Sequence, residues 1–223
     1  MLTALLPGLA ATAIGAVLGI WTSRTLATLN YRLDDEQDLP KPGRRWWIIW
    51  TSALSLGSIA AWLAATSSWA LAPVLLPLAL TGPALAAIDL DVMRLPNRIL
   101  APVAAVTILG LASTGVTGGG WATAVSGLIG GLVAGAALMM LNLLTRGGVG
   151  IGDIKLAAII GSAAGAVSLA TAWWALLVGS VVALIWAKSI HHRGPFAYGP
   201  WLLLGAWIAI LDPIGTLTQA LGA

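Results

Sequence analysis

Long apolar runs recur along this chain, and their length limits what it can fold into more than any other feature. A helix needs about 20 apolar residues to cross the ~30 Å hydrocarbon layer of a bilayer, where backbone N–H and C=O groups must be satisfied within the segment. Eight spans can be drawn: Leu5–Thr25, Trp47–Ala65, Trp69–Leu90, Ile99–Ser113, Trp121–Leu144, Ile154–Val167, Leu169–Ala187 and Tyr198–Leu217. Composition agrees. Of the 223 residues 59% are hydrophobic and only 9% charged, against about a quarter charged in soluble domains. The expectation is an all-α, polytopic transmembrane helical bundle of about eight spans, with the lipid bilayer as its solvent.

Charge placement orients the bundle. The net charge is +3, yet the cations cluster at the ends of apolar segments and form no basic groove, which argues against a nucleic-acid partner. With Met1 outside and eight alternating spans, all eleven Lys and Arg residues fall on the cytoplasmic side, as the positive-inside rule requires. The stretch Ile154–Ala187 is long for one span and short for two. Two are expected, the first short or tilted, because a single span would strand Lys188 and Arg193 outside. The N-terminus lacks a basic n-region and a small-residue cleavage site, so it reads as a retained first span. The polar segment Asn30–Arg45, containing "RLDDEQDLPKPGRR", reads as a solvated loop. Repeated glycines and alanines such as "GLIGGLVAGAA" suit close helix packing in lipid.

Few groups could carry chemistry. There is no cysteine, which excludes disulfides, thiolate metal sites and thiol nucleophiles. His191 and His192 are adjacent and cannot readily share one metal. No metal or cofactor is expected. Among the acids, Asp34, Asp35, Glu36 and Asp38 belong to the loop, and Asp212 precedes Pro213 in what reads as an outer turn. Asp89, Asp91 and Asp153 stand at the edges of apolar spans, where ionisable groups are costly and default to functional candidates. Asp89 closes the third span and Asp153 opens the sixth, so the topology sets both at the cytoplasmic end. Paired carboxyls share a proton, and such a pair can activate water and protonate a carbonyl without a metal. The alternative is that both acids simply pair with Arg94, Arg98, Arg146 or Lys155. Gly150 and Gly152 leave the backbone before and beside Asp153 free to approach another chain closely or to adopt positive φ.

The stretch "GVGIGDIKL" resembles the GxGD motif of the prepilin peptidases, intramembrane aspartic proteases that process type IV pilin precursors. That family also has a segment of the form IDxxxxxLPD; here Ile88–Asn97 reads "IDLDVMRLPN", its aspartate 64 positions before Asp153. "GPFAYGPWLLLGA" (Gly194–Ala206) is similar to the family's Pro-Phe-Gly-Pro stretch before the last span. The resemblance covers about Pro83 to Ala206. It implies a membrane aspartic endopeptidase with Asp89 and Asp153 catalytic, and with Gly150, Gly152, Lys155, Pro96 and Asn97 in supporting positions. It implies a prepilin or pseudopilin of the type IV or Flp type as substrate, cleaved where its short basic leader meets an apolar helix. On this basis residues 1–46 are the first span and a short cytoplasmic loop, and 47–223 the peptidase bundle. Asp91 rivals Asp89, but two residues apart on a helix means roughly opposite faces. Asn97 stands where the family has a second Asp. Many members carry a larger cysteine-bearing cytoplasmic domain linked with methylation, which the loop Asn30–Arg45 does not match, so methylation does not follow from the resemblance. A proton-coupled transporter using Asp89 and Asp153 as a relay is the rival from another class; it calls for acids near mid-membrane.

Overall fold

The computed structural model of the chain describes residues 2–189 and 196–211, with side chains from residue 5 onward. His191, His192, Arg193, Asp212 and the end of the last expected span lie outside the described residues. The chain forms helices α1 (Leu2–Leu26), α2 (Trp47–Ala65), α3 (Ala72–Val92), α4 (Asn97–Val116), α5 (Gly120–Leu144), α6 (Ile151–Val167), α7 (Leu169–Ser189) and α8 (Gly199–Ile210), and no strand among the described residues. Six helical segments are long and apolar enough to cross a bilayer: α1, α2, α3 with the 3-10 turn before it, α4, α5 and α7. The chain is a multi-pass membrane protein.

The ambiguous stretch after residue 150 is two helices, as its length and charge suggested. At the break, Ser168 adopts an extended conformation (φ −166°, ψ 157°). Its hydroxyl then accepts the Thr171 N–H at 3.0 Å, the geometry of an N-cap that starts α7. The 17 residues of α6 span only about 26 Å at 1.5 Å per residue.

Helices pair mainly with their sequence neighbours, α1 along α2, α5 along α6 and α7 along α8. Water cannot drive helices together in lipid, so close backbone approach must. A side chain on Gly15 of α1 would sit 2.5 Å from the Ser52 carbonyl oxygen of α2, and one on Gly165 of α6 would sit 2.9 Å from the Ser126 carbonyl oxygen of α5. The Ser126 hydroxyl also donates to the Gly165 carbonyl at 2.7 Å. The fully buried side chains Leu85, Leu100, Leu156 and Leu202 come from α3, α4, α6 and α8, so these four helices enclose the centre.

The segment Asn30–Arg45 departs from the expected solvated loop. Most of it is exposed, but the Arg32 side chain is 0% exposed. Its Nε and Nη2 donate to the two Asp91 oxygens at 3.0 and 2.9 Å, and its Nη1 and Nη2 reach the Leu39 and Pro40 carbonyls. Glu36 pairs with Arg94 at 2.8 Å. The loop is a cap folded over the end of α3, because charges nearly sixty residues away in sequence are its partners. Composition registers such a loop as polar and says nothing of where the partners lie.

Candidate active site

Asp89 and Asp153 enter the same end of the bundle from different helices. Asp89 lies in the last turn of α3 and Asp153 in the first turn of α6, and these two helices touch. A side chain at Gly199 would touch both the Asp89 carboxyl, at 3.0 Å, and a methyl of Leu156, three residues along α6 from Asp153, at 3.4 Å. Asp89 is 2% exposed. No Lys or Arg among the described residues makes a salt bridge to either acid. Two of the four cations that might have paired with them are engaged elsewhere: Arg94 on Glu36, and Lys155 on the Asn97 Oδ1 at 2.9 Å.

Each carboxyl is met instead by backbone. The Gly199 N–H, at the start of α8, donates to Asp89 Oδ2 at 2.9 Å. Asp153 turns its Oδ2 back against Gly150, the cap residue of its own helix. The Asp153 Oδ1 is buried without a hydrogen-bond partner among the described residues. An unsatisfied buried oxygen of this kind is costly and is open to accept a hydrogen bond from a donor that enters the site.

Local sequence explains how the two turns meet. Helix α3 ends at Met93, which takes a left-handed conformation (φ 50°, ψ 37°) and donates its N–H to the Asp89 carbonyl at 2.9 Å. A non-glycine residue at positive φ is uncommon and tends to be held by its surroundings. Here it turns the chain so that Leu95 and Pro96 are buried beneath the α6 N-terminus, with Pro96 as the cap of α4. A side chain at Gly152 would meet the Leu95 Cβ at 2.9 Å. One at Gly150 would meet the Asp153 Oδ2 at 3.0 Å. Gly150 has φ −65°, and Gly152 is not among the positive-φ residues. The glycines of this motif serve close approach within the protein, whereas the positive φ falls on Arg146 and Gly147 upstream. The side-chain amide of Asn142 donates to the Val149 carbonyl and ties that loop to α5.

Asp91 faces away from this pair. It is held by Arg32 and Arg45 and by the Tyr31 hydroxyl at 2.5 Å, in line with the two-residue offset from Asp89. The Lys155–Asn97 bond joins the two sequence motifs side chain to side chain at an exposed position. Gly199 is the contributor that sequence reasoning missed as an individual. It lay inside a quoted motif, but nothing in the sequence says that its N–H reaches a residue 110 positions earlier.

A model described as the type IV leader peptidase family matches residues 74–188, a stretch that contains both aspartates. A prepilin leader peptidase/N-methyltransferase of Aeromonas salmonicida (strain A449) is 33% identical over 139 residues, covering 57% of this chain and 45% of that protein. The protein of the same name from Bacillus subtilis (strain 168) is 32% identical over 126 residues, covering 55% of this chain and 49% of its own. The chain thus spans about half the length of the curated relatives it matches. No solved structure matches it significantly.

Proposed function

The chain belongs to the type IV leader peptidase family, and from that premise we propose that it is a membrane aspartic endopeptidase that removes the short basic leader of type IV or Flp-type prepilins or pseudopilins. The observation that supports this reading is the pair of carboxyls, Asp89 and Asp153, carried on terminal turns of two helices that touch, with no salt bridge to either acid among the described residues. Residues 47–223 are the peptidase bundle in this reading, and residues 1–46 supply the first span and the cap.

The two carboxyls hold one proton between them. The ionised one takes a proton from a water whose oxygen attacks the scissile carbonyl carbon, while the protonated one gives its proton to the carbonyl oxygen. Collapse of the tetrahedral intermediate breaks the C–N bond, and a carboxyl protonates the leaving amine. Two interacting carboxyls titrate as a pair, so the roles belong to the dyad. A site at the ends of α3 and α6 suits a scissile bond where a basic leader meets an apolar helix. A proton relay calls for acids deeper in the spans, whereas these lie on terminal turns. Co-expression with a candidate prepilin tests the proposal. Leader removal by the wild type, and none by Asp153→Asn at equal membrane abundance, is the expected result; cleavage by both would overturn it.

A further inference from the structure

We propose that the cleft between the ends of α1 and α2, walled by residues 41–46 of the cap, is a binding site for the phosphate of an anionic phospholipid headgroup. The cleft has a volume of about 490 Å³ and is lined by Arg24, Lys41, Arg44 and Arg45, with Trp46 and Ile49 among its apolar residues. No carboxylate lines it. Among the described residues, Arg24, Lys41 and Arg44 make no ion pair. Arg45 shares its single carboxylate, Asp91, with Arg32.

Arg45 supplies an independent sign of a ligand. Its side chain is 10% exposed, and its Nη2 donates to the Tyr31 hydroxyl at 2.9 Å. Its Nη1 is buried with no acceptor among the described residues. A guanidinium presents its donors as a fork suited to two oxygens of one phosphate, and Arg45 lines the cleft. With Arg45 paired to Asp91, the charges of Arg24, Lys41 and Arg44 are left for an anion in the cleft to neutralise.

The setting selects a lipid over a soluble phosphate. The cleft opens at the ends of two spans, where headgroups lie, and tryptophan favours that depth. Positive-inside placement faces this end to the anionic cytoplasmic leaflet, and basic pockets between spans on that side suit anionic headgroups. The site is separate from the aspartate pair; its nearest tie is Arg45, which pairs with Asp91, two residues along α3 from Asp89. Lipid binding does not depend on the peptidase reading.

Native mass spectrometry of the full chain, released from detergent with phosphatidylglycerol, phosphatidylcholine or inorganic phosphate added, tests the proposal. Phosphatidylglycerol is expected to bind in preference to phosphatidylcholine. Each of Arg24→Gln, Lys41→Gln and Arg44→Gln should weaken its binding about fivefold, and the triple variant about a hundredfold. All three side chains are exposed, so the variants should keep the wild-type unfolding temperature, which is measured alongside. Equal binding of the two lipids would overturn the proposal, as would phosphatidylglycerol binding undiminished in the triple variant. Competition by inorganic phosphate at equal molar concentration would also overturn it, by showing a site for the free ion. Loss of prepilin cleavage is not the readout, so a failure here is distinct from a failure of the peptidase reading.

Discussion

At Asp89 and Asp153 a carboxamide has the shape of the carboxyl but can neither bear the charge nor pass the proton. Asp89→Asn and Asp153→Asn are each expected to lower prepilin cleavage by at least about a hundredfold while the protein still inserts. Residues that act as one unit are not additive, so the double variant should be no worse than either single one. A gel assay of leader removal reads all three, and a multiplicative loss would show that the two acids work independently. Gly199 tests the geometry more finely. A methyl group there would sit 3.0 Å from Asp89 Oδ2 and 3.4 Å from both Asp89 Cγ and a Leu156 methyl, so the carboxyl must shift. Misplacement of a reacting group by about 1 Å costs on the order of a hundredfold. The shift called for here is only a few tenths of an ångström, so Gly199→Ala should lower kcat by roughly tenfold or less, with KM little changed, and an unaltered kcat would remove Gly199 from the site.

Helices and loops carry the next set of consequences. The cap over α3 rests in part on Glu36, whose carboxyl the Arg94 guanidinium holds below the usual carboxylate range through its hydrogen bonds. Because the folded-state value is depressed, this stabilisation is complete above the unfolded value of about 4.3 and is lost as pH falls through the folded value. The pair is partly exposed, so the effect is about 1 kcal/mol or less. Amide hydrogen exchange over residues 33–40, corrected for intrinsic rates, should speed up below about pH 4, and Glu36→Gln should flatten that dependence. In α6, Gly165→Leu would push against the Ser126 carbonyl and the Gly130 Cα of α5. Overpacking of this kind costs about 1–3 kcal/mol and should lower the unfolding temperature in detergent. The helices themselves were legible because lipid-length apolar runs announce themselves; α2, Trp47–Ala65, has the expected bounds. The aspartates were legible because an acid beside an apolar run is conspicuous. Arg32 was not, since a buried arginine and a solvated one look alike in sequence until Asp91 is placed beside it. Nor was the use of Gly150 and Gly152, whose neighbours, Asp153 and Leu95, are fixed by the turn at Met93.

For the whole molecule the alternation of α6 and α7 decides on which side each cation lies. If α6 crosses the bilayer, Thr145 and Ser189 face the same side and Ser113 the other. With only about 26 Å of helix for a hydrocarbon layer of ~30 Å, α6 must be met by local thinning of the bilayer, at fractions of a kcal/mol per Å. Its buried face eases this: Leu156, Ala157, Ile160, Ala163 and Ala164 are 0% exposed, so neighbouring helices cover much of α6 in place of lipid. The native chain contains no cysteine, and single cysteines therefore report position without background. In sealed cells, Ser113→Cys should react with a membrane-impermeant maleimide. Thr145→Cys and Ser189→Cys should react only after permeabilisation. Labelling of Ser189→Cys from outside would make α6 a re-entrant helix that does not cross, and would carry Lys188 to the outer face against the charge rule. Because α6 also presents Asp153, that outcome would leave α3 and α6 meeting at a different depth, and the same labelling series across residues 145–155 would locate it.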